Sequence, residues 1–150
     1  MQNPAYPVIL GPDASQIVDV ADVVAAKTMR VELDMFSGRP NFTWEFSAAE
    51  RAELIHRLAT LPEARQGQFP SRLGYRGVKV TDTNDERTFG EIEVGSGTVI
   101  LRGAAGIQRT FADPDCAFER WLLETGRGRV PEDLREMAGR QLEDSCRAHK

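Results

Sequence analysis

Histidine, cysteine and lysine are scarce in this chain of 150 residues: two, two and three, the last against sixteen arginines. With only His56 and His149, a Ser-His-Asp or Cys-His catalytic unit has few places to form. His56 falls on the polar side of its expected helix and His149 is penultimate, where chains fray. Cys116 and Cys146 are too few and too far apart in sequence for a disulfide framework or a zinc site. Long apolar runs are missing too, since none approaches the roughly 20 residues of a membrane-spanning helix. The opening MQNPAYPVILGPDASQ has no basic leader region, so no signal peptide is expected. A cytoplasmic protein without a membrane partner is the expectation. A formal charge of −4 is mild, and nothing in it calls for nucleic acid. The excess of arginine over lysine reads as coding bias rather than as a basic surface.

What is present is ordinary for a folded domain: 41% hydrophobic and 28% charged residues are enough for a core and too apolar for wholesale disorder. Residues 1–27, rich in proline and polar residues with one short apolar patch, read as a weakly ordered N-terminal arm through which a homodimer could form. Residues 28–150 read as a single α+β domain. In MRVELDMF, Met29, Val31, Leu33 and Met35 alternate with Arg30, Glu32 and Asp34; in FTWEF, Phe42, Trp44 and Phe46 alternate with Thr43 and Glu45. Both are period-two strands with one wet face, and together they predict an antiparallel hairpin. Its register has two options. Leu33 opposite Trp44 would set Glu32 against Glu45, whereas Val31 opposite Trp44 sets Arg30 against Glu45, which costs less.

Ser47 with Glu50 is a capping box that opens a helix through about Leu61, with Leu54, Ile55, Leu58 and Leu61 on one face. Residues 73–111 read as a meander of short strands with glycine-rich turns. Asp113 as N-cap and Pro114 at the first helical position predict a helix buried along Phe118, Trp121, Leu122 and Thr125. A second helix from about Pro131 is expected to bury Leu134, Met137, Ala138 and Leu142. The fold expectation is α+β: a mostly antiparallel sheet of about five or six strands with three helices packed on one face. The short loop between the last two helices makes them antiparallel, which could bring Cys116 near Cys146. The main expectation is two separate, partly buried thiols, with a redox pair as the alternative.

No cofactor or metal motif is complete. DTNDE carries Asp82, Asn84 and Glu86 at alternate positions but Arg87 where a calcium loop needs glycine. GSG and RGAAG read as tight turns rather than phosphate cradles. Neither a cofactor nor a metal is expected. A modest basic stretch runs through Arg57, Arg65, Arg72, Arg76 and Lys79, with Phe69 and Tyr75 interleaved.

The turn SGRPN between the two hairpin strands stands out. Gly38, Pro40, Ser37 and Asn41 are turn chemistry, but the turn itself has no need of Arg39, whose planar guanidinium suits a carboxylate or phosphate. FSGRPNFTW followed by SAAERAELIHRL resembles a pattern of small uncharacterised bacterial proteins, written SGRPNP-x-W ahead of a helix. The resemblance covers residues 29–61 and extends to LGYRG at 73–77, and Phe42 stands where that pattern has a second proline. It implies a hairpin–helix unit and brings no activity, cofactor or catalytic residue with it. Two functions follow as expectations. One is a small binding or accessory module holding an anionic small molecule or a partner segment with Arg39, Asn41, Tyr75 and Arg76. The other is a small cofactor-free enzyme, a cyclase, isomerase or hydrolase, using Glu32, Asp34 or Glu45 as acid or base.

Overall fold

A computed structural model describes residues 23–24, 26–35, 40–65, 75–83, 89–103 and 108–148. The alternating segments form strands β1 (Met29–Asp34) and β2 (Phe42–Glu45), and helix α1 (Ala48–Ala59) follows. Strands β3 (Gly77–Asp82), β4 (Glu91–Gly95), β5 (Thr98–Arg102) and β6 (Gln108–Ala112) come next. After a short 3-10 turn at Pro114–Cys116, helices α2 (Ala117–Thr125) and α3 (Glu132–Ala148) complete the chain. The six strands make one sheet in the order β2-β1-β3-β4-β5-β6, and every neighbouring pair is antiparallel. The three helices pack together, so the fold is α+β as its sequence pattern indicates.

The hairpin adopts the register with opposite charges facing: Val31 pairs with Trp44 and Arg30 with Glu45. That choice puts Met29, Val31 and Leu33 on the same side as Val78, Val80, Ile92, Val94, Val99 and Leu101, all buried in one core. The opposite side carries Arg30, Glu32, Asp34, Lys79, Glu91, Glu93 and Arg102. One side of the sheet is therefore dry and the other polar, as alternation in an antiparallel sheet requires.

Helix α1 begins with the full capping box, Ser47 accepting from the Glu50 N–H while the Glu50 carboxylate accepts from the Ser47 N–H. It ends at Ala59, two residues before the expected Leu61, because the Thr60 and Leu61 N–H groups close a tighter turn on Arg57 and Leu58. Leu54 and Leu58 enter the core. Trp44 is buried and donates its indole N–H to the Thr125 hydroxyl at 3.0 Å, pinning the end of α2 to the hairpin. A Cβ at Gly126 would lie only 3.1 Å from the Trp44 ring, so the residue ending α2 is small because an indole occupies the space. At Gly77 the φ of +137° and a Cβ position 2.3 Å from the Val94 carbonyl oxygen admit glycine only. Strand β6, at one edge, is partly covered by residues 62–64, with Ala112 donating to the Pro62 carbonyl and Ala64 to that of Thr110.

Three expectations need correction. The buried stripe of α2 is Phe118, Glu119, Leu122 and Leu123, with Trp121 only partly buried; the helix faces the sheet and α3 together, so burial spreads sideways from the expected line. In α3, Met137 is exposed, and the buried side runs from Ala138 through Leu142 to Ser145 and Cys146. Cys116 and Cys146 are not separate thiols but a disulfide with Cα atoms 6.1 Å apart, because the antiparallel pairing sets the start of α2 beside the end of α3. Of the expected arm, residues 1–22 lie outside the described residues, while Val23 and Ala26 are buried in the core.

Candidate functional site

Two places in the fold gather chemistry. The first is the end of the polar face where β1 runs out toward the SGRPN turn. Asp34 closes β1, and its Oδ1 accepts from the Arg76 guanidinium at 2.8 Å, while the Lys79 ammonium stands 4.0 Å from Oδ2. The backbone strengthens the join, since the Arg76 N–H donates to the Asp34 carbonyl at 2.8 Å. The Asp34 carboxylate raises the Arg76 guanidinium above its ordinary value, so that cation is fixed as charged. One pleat away, Glu32 lies between Thr43 and Lys79 across the strands and accepts from the Asn41 side-chain amide at 2.7 Å. Asn41 also accepts the Met35 N–H at 3.0 Å. A single asparagine thus closes the hairpin mouth and ties it to the polar face.

Of the residues expected to bind, Asn41 and Arg76 come together here. Arg39 lies on segment 36–39, outside the described residues. Tyr75 goes the other way. It is 1% exposed and donates its hydroxyl to the Glu119 carboxylate at 2.5 Å, on the helix side of the sheet. Consecutive residues of an extended chain point to opposite faces, and Tyr75 and Arg76 obey that rule. The carboxylates considered as acid or base, Glu32, Asp34 and Glu45, are all on the polar face. Glu45 meets Arg30 at 3.5 Å, both well exposed. None of the three lines either of the two clefts described below. Nearer the middle of that face, one Arg102 nitrogen reaches Glu91 at 3.0 Å and Glu93 at 2.5 Å.

The basic stretch of the sequence is divided by the fold. Arg57, on α1, lies 5.0 Å over the Trp121 ring and bonds Glu53, whereas Arg76 and Lys79 belong to the polar face. Arg65 lines a mostly polar cleft of about 400 Å³ with Glu63, Gln108 and Arg109 beside the β6 edge. Residues Phe69 and Arg72 lie outside the described residues. His56 is exposed on α1, as its place on the helix predicts, and His149 lies outside the described residues. Among the described residues no group of three or more histidine, cysteine, aspartate and glutamate side chains is placed to hold a metal ion. No described helix is long and apolar enough to cross a membrane.

The second place joins two features that the sequence shows separately, the GSG turn and the cysteine pair, which read there as a tight turn and as separate thiols. A cleft of about 300 Å³ opens between the β4–β5 turn and the start of α2, lined by Ser96, Gly97, Thr98, Ala112, Asp113, Pro114, Asp115 and the Cys116–Cys146 disulfide. Ser96 and Gly97 both have positive φ, the pattern of a type I′ two-residue hairpin turn. The Ser96 hydroxyl lies 2.6 Å from that of Ser145, and its N–H donates to Glu119 at 3.2 Å. Asp113 is buried and accepts the Phe118 and Glu119 N–H groups at 2.9 and 3.0 Å, one on each carboxylate oxygen. Burial raises its pKa above the ordinary aspartate value, and those two N–H groups partly offset the shift. The signal for Glu119 was present in the sequence, as an acidic residue inside the apolar stripe of α2.

No protein-family model matches the chain, and neither curated proteins nor solved structures give a match.

Proposed function

We propose that the protein is a small binding or accessory module whose recognition site is the polar end of the β1–β3 seam, adjoining the turn that carries Arg39. Its ligand is an anionic small molecule or an acidic segment of a partner. One observation carries the reading: two cations, Arg76 and Lys79, converge on one carboxylate, Asp34, where β1 enters that turn. Asp34 and Glu32 balance these cations, and Arg39, five residues after Asp34 in the sequence, is the third cation of this reading. A ligand carboxylate or phosphate competes with Asp34 for a guanidinium already held in a fixed orientation, and arginine's fork rewards that geometry. Half-burial of Arg76 and Asp34 strengthens the exchange relative to a fully solvated pair.

The test is titration of the whole protein with inorganic phosphate, citrate and a glutamate-rich peptide, followed by amide chemical shifts. Perturbations centred on Asp34, Asn41 and Arg76, weakened about tenfold by Arg39→Ala or Arg76→Ala, support the reading. A ligand that binds both variants as tightly as the parent removes this site. The enzymatic alternative rests on Glu32, Asp34 or Glu45 acting from the open face, each already engaged by Asn41, Arg76 or Arg30. It gains ground only if turnover of some metabolite is found and is lost in Glu32→Gln or Asp34→Asn.

A further inference from the structure

Among the described residues three non-glycine residues have a left-handed backbone: Ser96 at φ 52°, Asp115 at 56° and Cys116 at 55°. All three line the cleft beside the Cys116–Cys146 disulfide. The hairpin turn accounts for Ser96. Asp115 and Cys116 are consecutive, and their local sequence asks for the opposite hand. Asp113-Pro114 is a strong start signal for a right-handed helix, in which Cys116 would be the third helical residue. Instead the chain reverses hand where the disulfide attaches, and α2 begins at Ala117. Asp113 still caps it, reaching across the inserted residues to the Phe118 and Glu119 N–H groups. L-residues take this conformation at a cost and retain it only where the surroundings impose it. The second of these two residues, Cys116, carries the bond to Cys146.

We propose that Cys116–Cys146 is a thiol–disulfide exchange site reached through the cleft, and that its reduction lets residues 114–116 join α2 as an added first turn. The reactant is a low-molecular-weight thiol. Its thiolate attacks one cysteine sulfur in line with the S–S bond, forming a mixed disulfide and expelling the other cysteine as a thiolate, which takes a proton from water. A second thiol attacks the mixed disulfide, releasing the remaining cysteine and the oxidised thiol dimer. The protein gains two electrons and two protons, and two small thiols become one disulfide. The helices do not depend on the bond alone. Arg120 holds Glu143 through two hydrogen bonds of 2.8 and 2.9 Å, linking α2 to α3, and the Ser96–Ser145 contact fastens the β4–β5 turn to α3. Both redox states are therefore folded, and they differ at the start of α2. The site lies apart from the polar end of the sheet and stands independently of the binding function proposed there.

The experiment equilibrates the whole protein in buffers of reduced and oxidised glutathione, traps thiols by alkylation and reads masses, with ¹³C chemical shifts and thermal melts on the two end states. The expected result is reversible conversion within the glutathione range and a trapped single glutathione adduct. The reduced form should melt cooperatively, and the Asp115 and Cys116 shifts should move from left-handed to helical values. Reduction that occurs only with loss of the folded state overturns the proposal, because the bond is then a fixed clamp. A reduced, folded protein whose Asp115 and Cys116 shifts stay left-handed overturns it as well.

Discussion

On the polar face Glu45, its side chain 67% exposed, meets Arg30 at 3.5 Å; on the helix side Glu119, 2% exposed, takes the Tyr75 hydroxyl at 2.5 Å and the Ser96 N–H. The two carboxylates share their chemistry and differ in what surrounds it. Water competes with Arg30 for Glu45, and such exposed pairs contribute about 0–1 kcal/mol. Around Glu119 no water stands in for a lost partner, so each hydrogen bond matters through the cost of leaving it unmade. The comparison teaches where polar residues do structural work in this fold. Exposed charge pairs lie on the polar sheet face and on the helix surfaces alike, while a few buried groups hold α2 to the sheet.

The largest effect expected from breaking that contrast is Glu119→Ala, which strands the Tyr75 hydroxyl and Ser96 N–H in a dry interior and costs about 3–4 kcal/mol in chemical denaturation. Asp113→Ala removes the acceptor of two N–H groups at the start of α2, with an expected loss of about 2 kcal/mol. On the polar face Arg30→Ala and Glu45→Ala should each lose less than about 1 kcal/mol. Exchanging the two residues should restore most of it, since their facing positions and not their identities matter. Equal losses at Glu119 and Glu45 would erase the distinction between the two faces.

Smallest, and of opposite sign, are the pH effects. Burial raises Asp113 in the folded state. Its contribution is therefore present below the ordinary aspartate value of 3.8 and falls away as pH rises through the raised one. Burial also raises Glu50, but the Ser47 backbone N–H and Arg129 outweigh it and leave the group lowered. The Glu50 contribution is present above its ordinary 4.5 and disappears as pH falls through the lowered value. Denaturation at pH 7 and pH 3.5 should show the advantage of the parent over Glu50→Gln, a few tenths of a kcal/mol, shrinking at the acid end.

Much of this was legible in the chain. Period-two alternation marked β1 and β2, and the charges of Arg30 and Glu45 selected their register, because a slip of two residues would have set Glu32 against Glu45 and a slip of one would have turned Trp44 to the wet face. Ser47 and Glu50 marked the start of α1 for an equally local reason. Where more than one element decides, the sequence was less informative. Glu119 is legible as an anomaly in a stripe, but its partners come from residues 44 and 23 positions away. Antiparallel helices brought Cys116 near Cys146, yet the bond needs Asp115 and Cys116 to abandon the hand that Asp113-Pro114 favours. At the polar end, the sequence did not pair Arg76 with Asp34, and it grouped Tyr75 with Arg76 although alternation along an extended chain sends the two side chains to opposite faces.

The strand order has a kinetic consequence. β1 and β2 form a local hairpin, and β3 to β6 form a local meander, each closed by neighbours in sequence. The sheet is completed along a single seam, β1 against β3, where Asp34 meets Arg76 from 42 residues away. Loop closure is the slow part of making such distant pairs. Folding is thus expected to be the docking of two preassembled halves, with the Asp34–Arg76 contact at the end of the line along which they join.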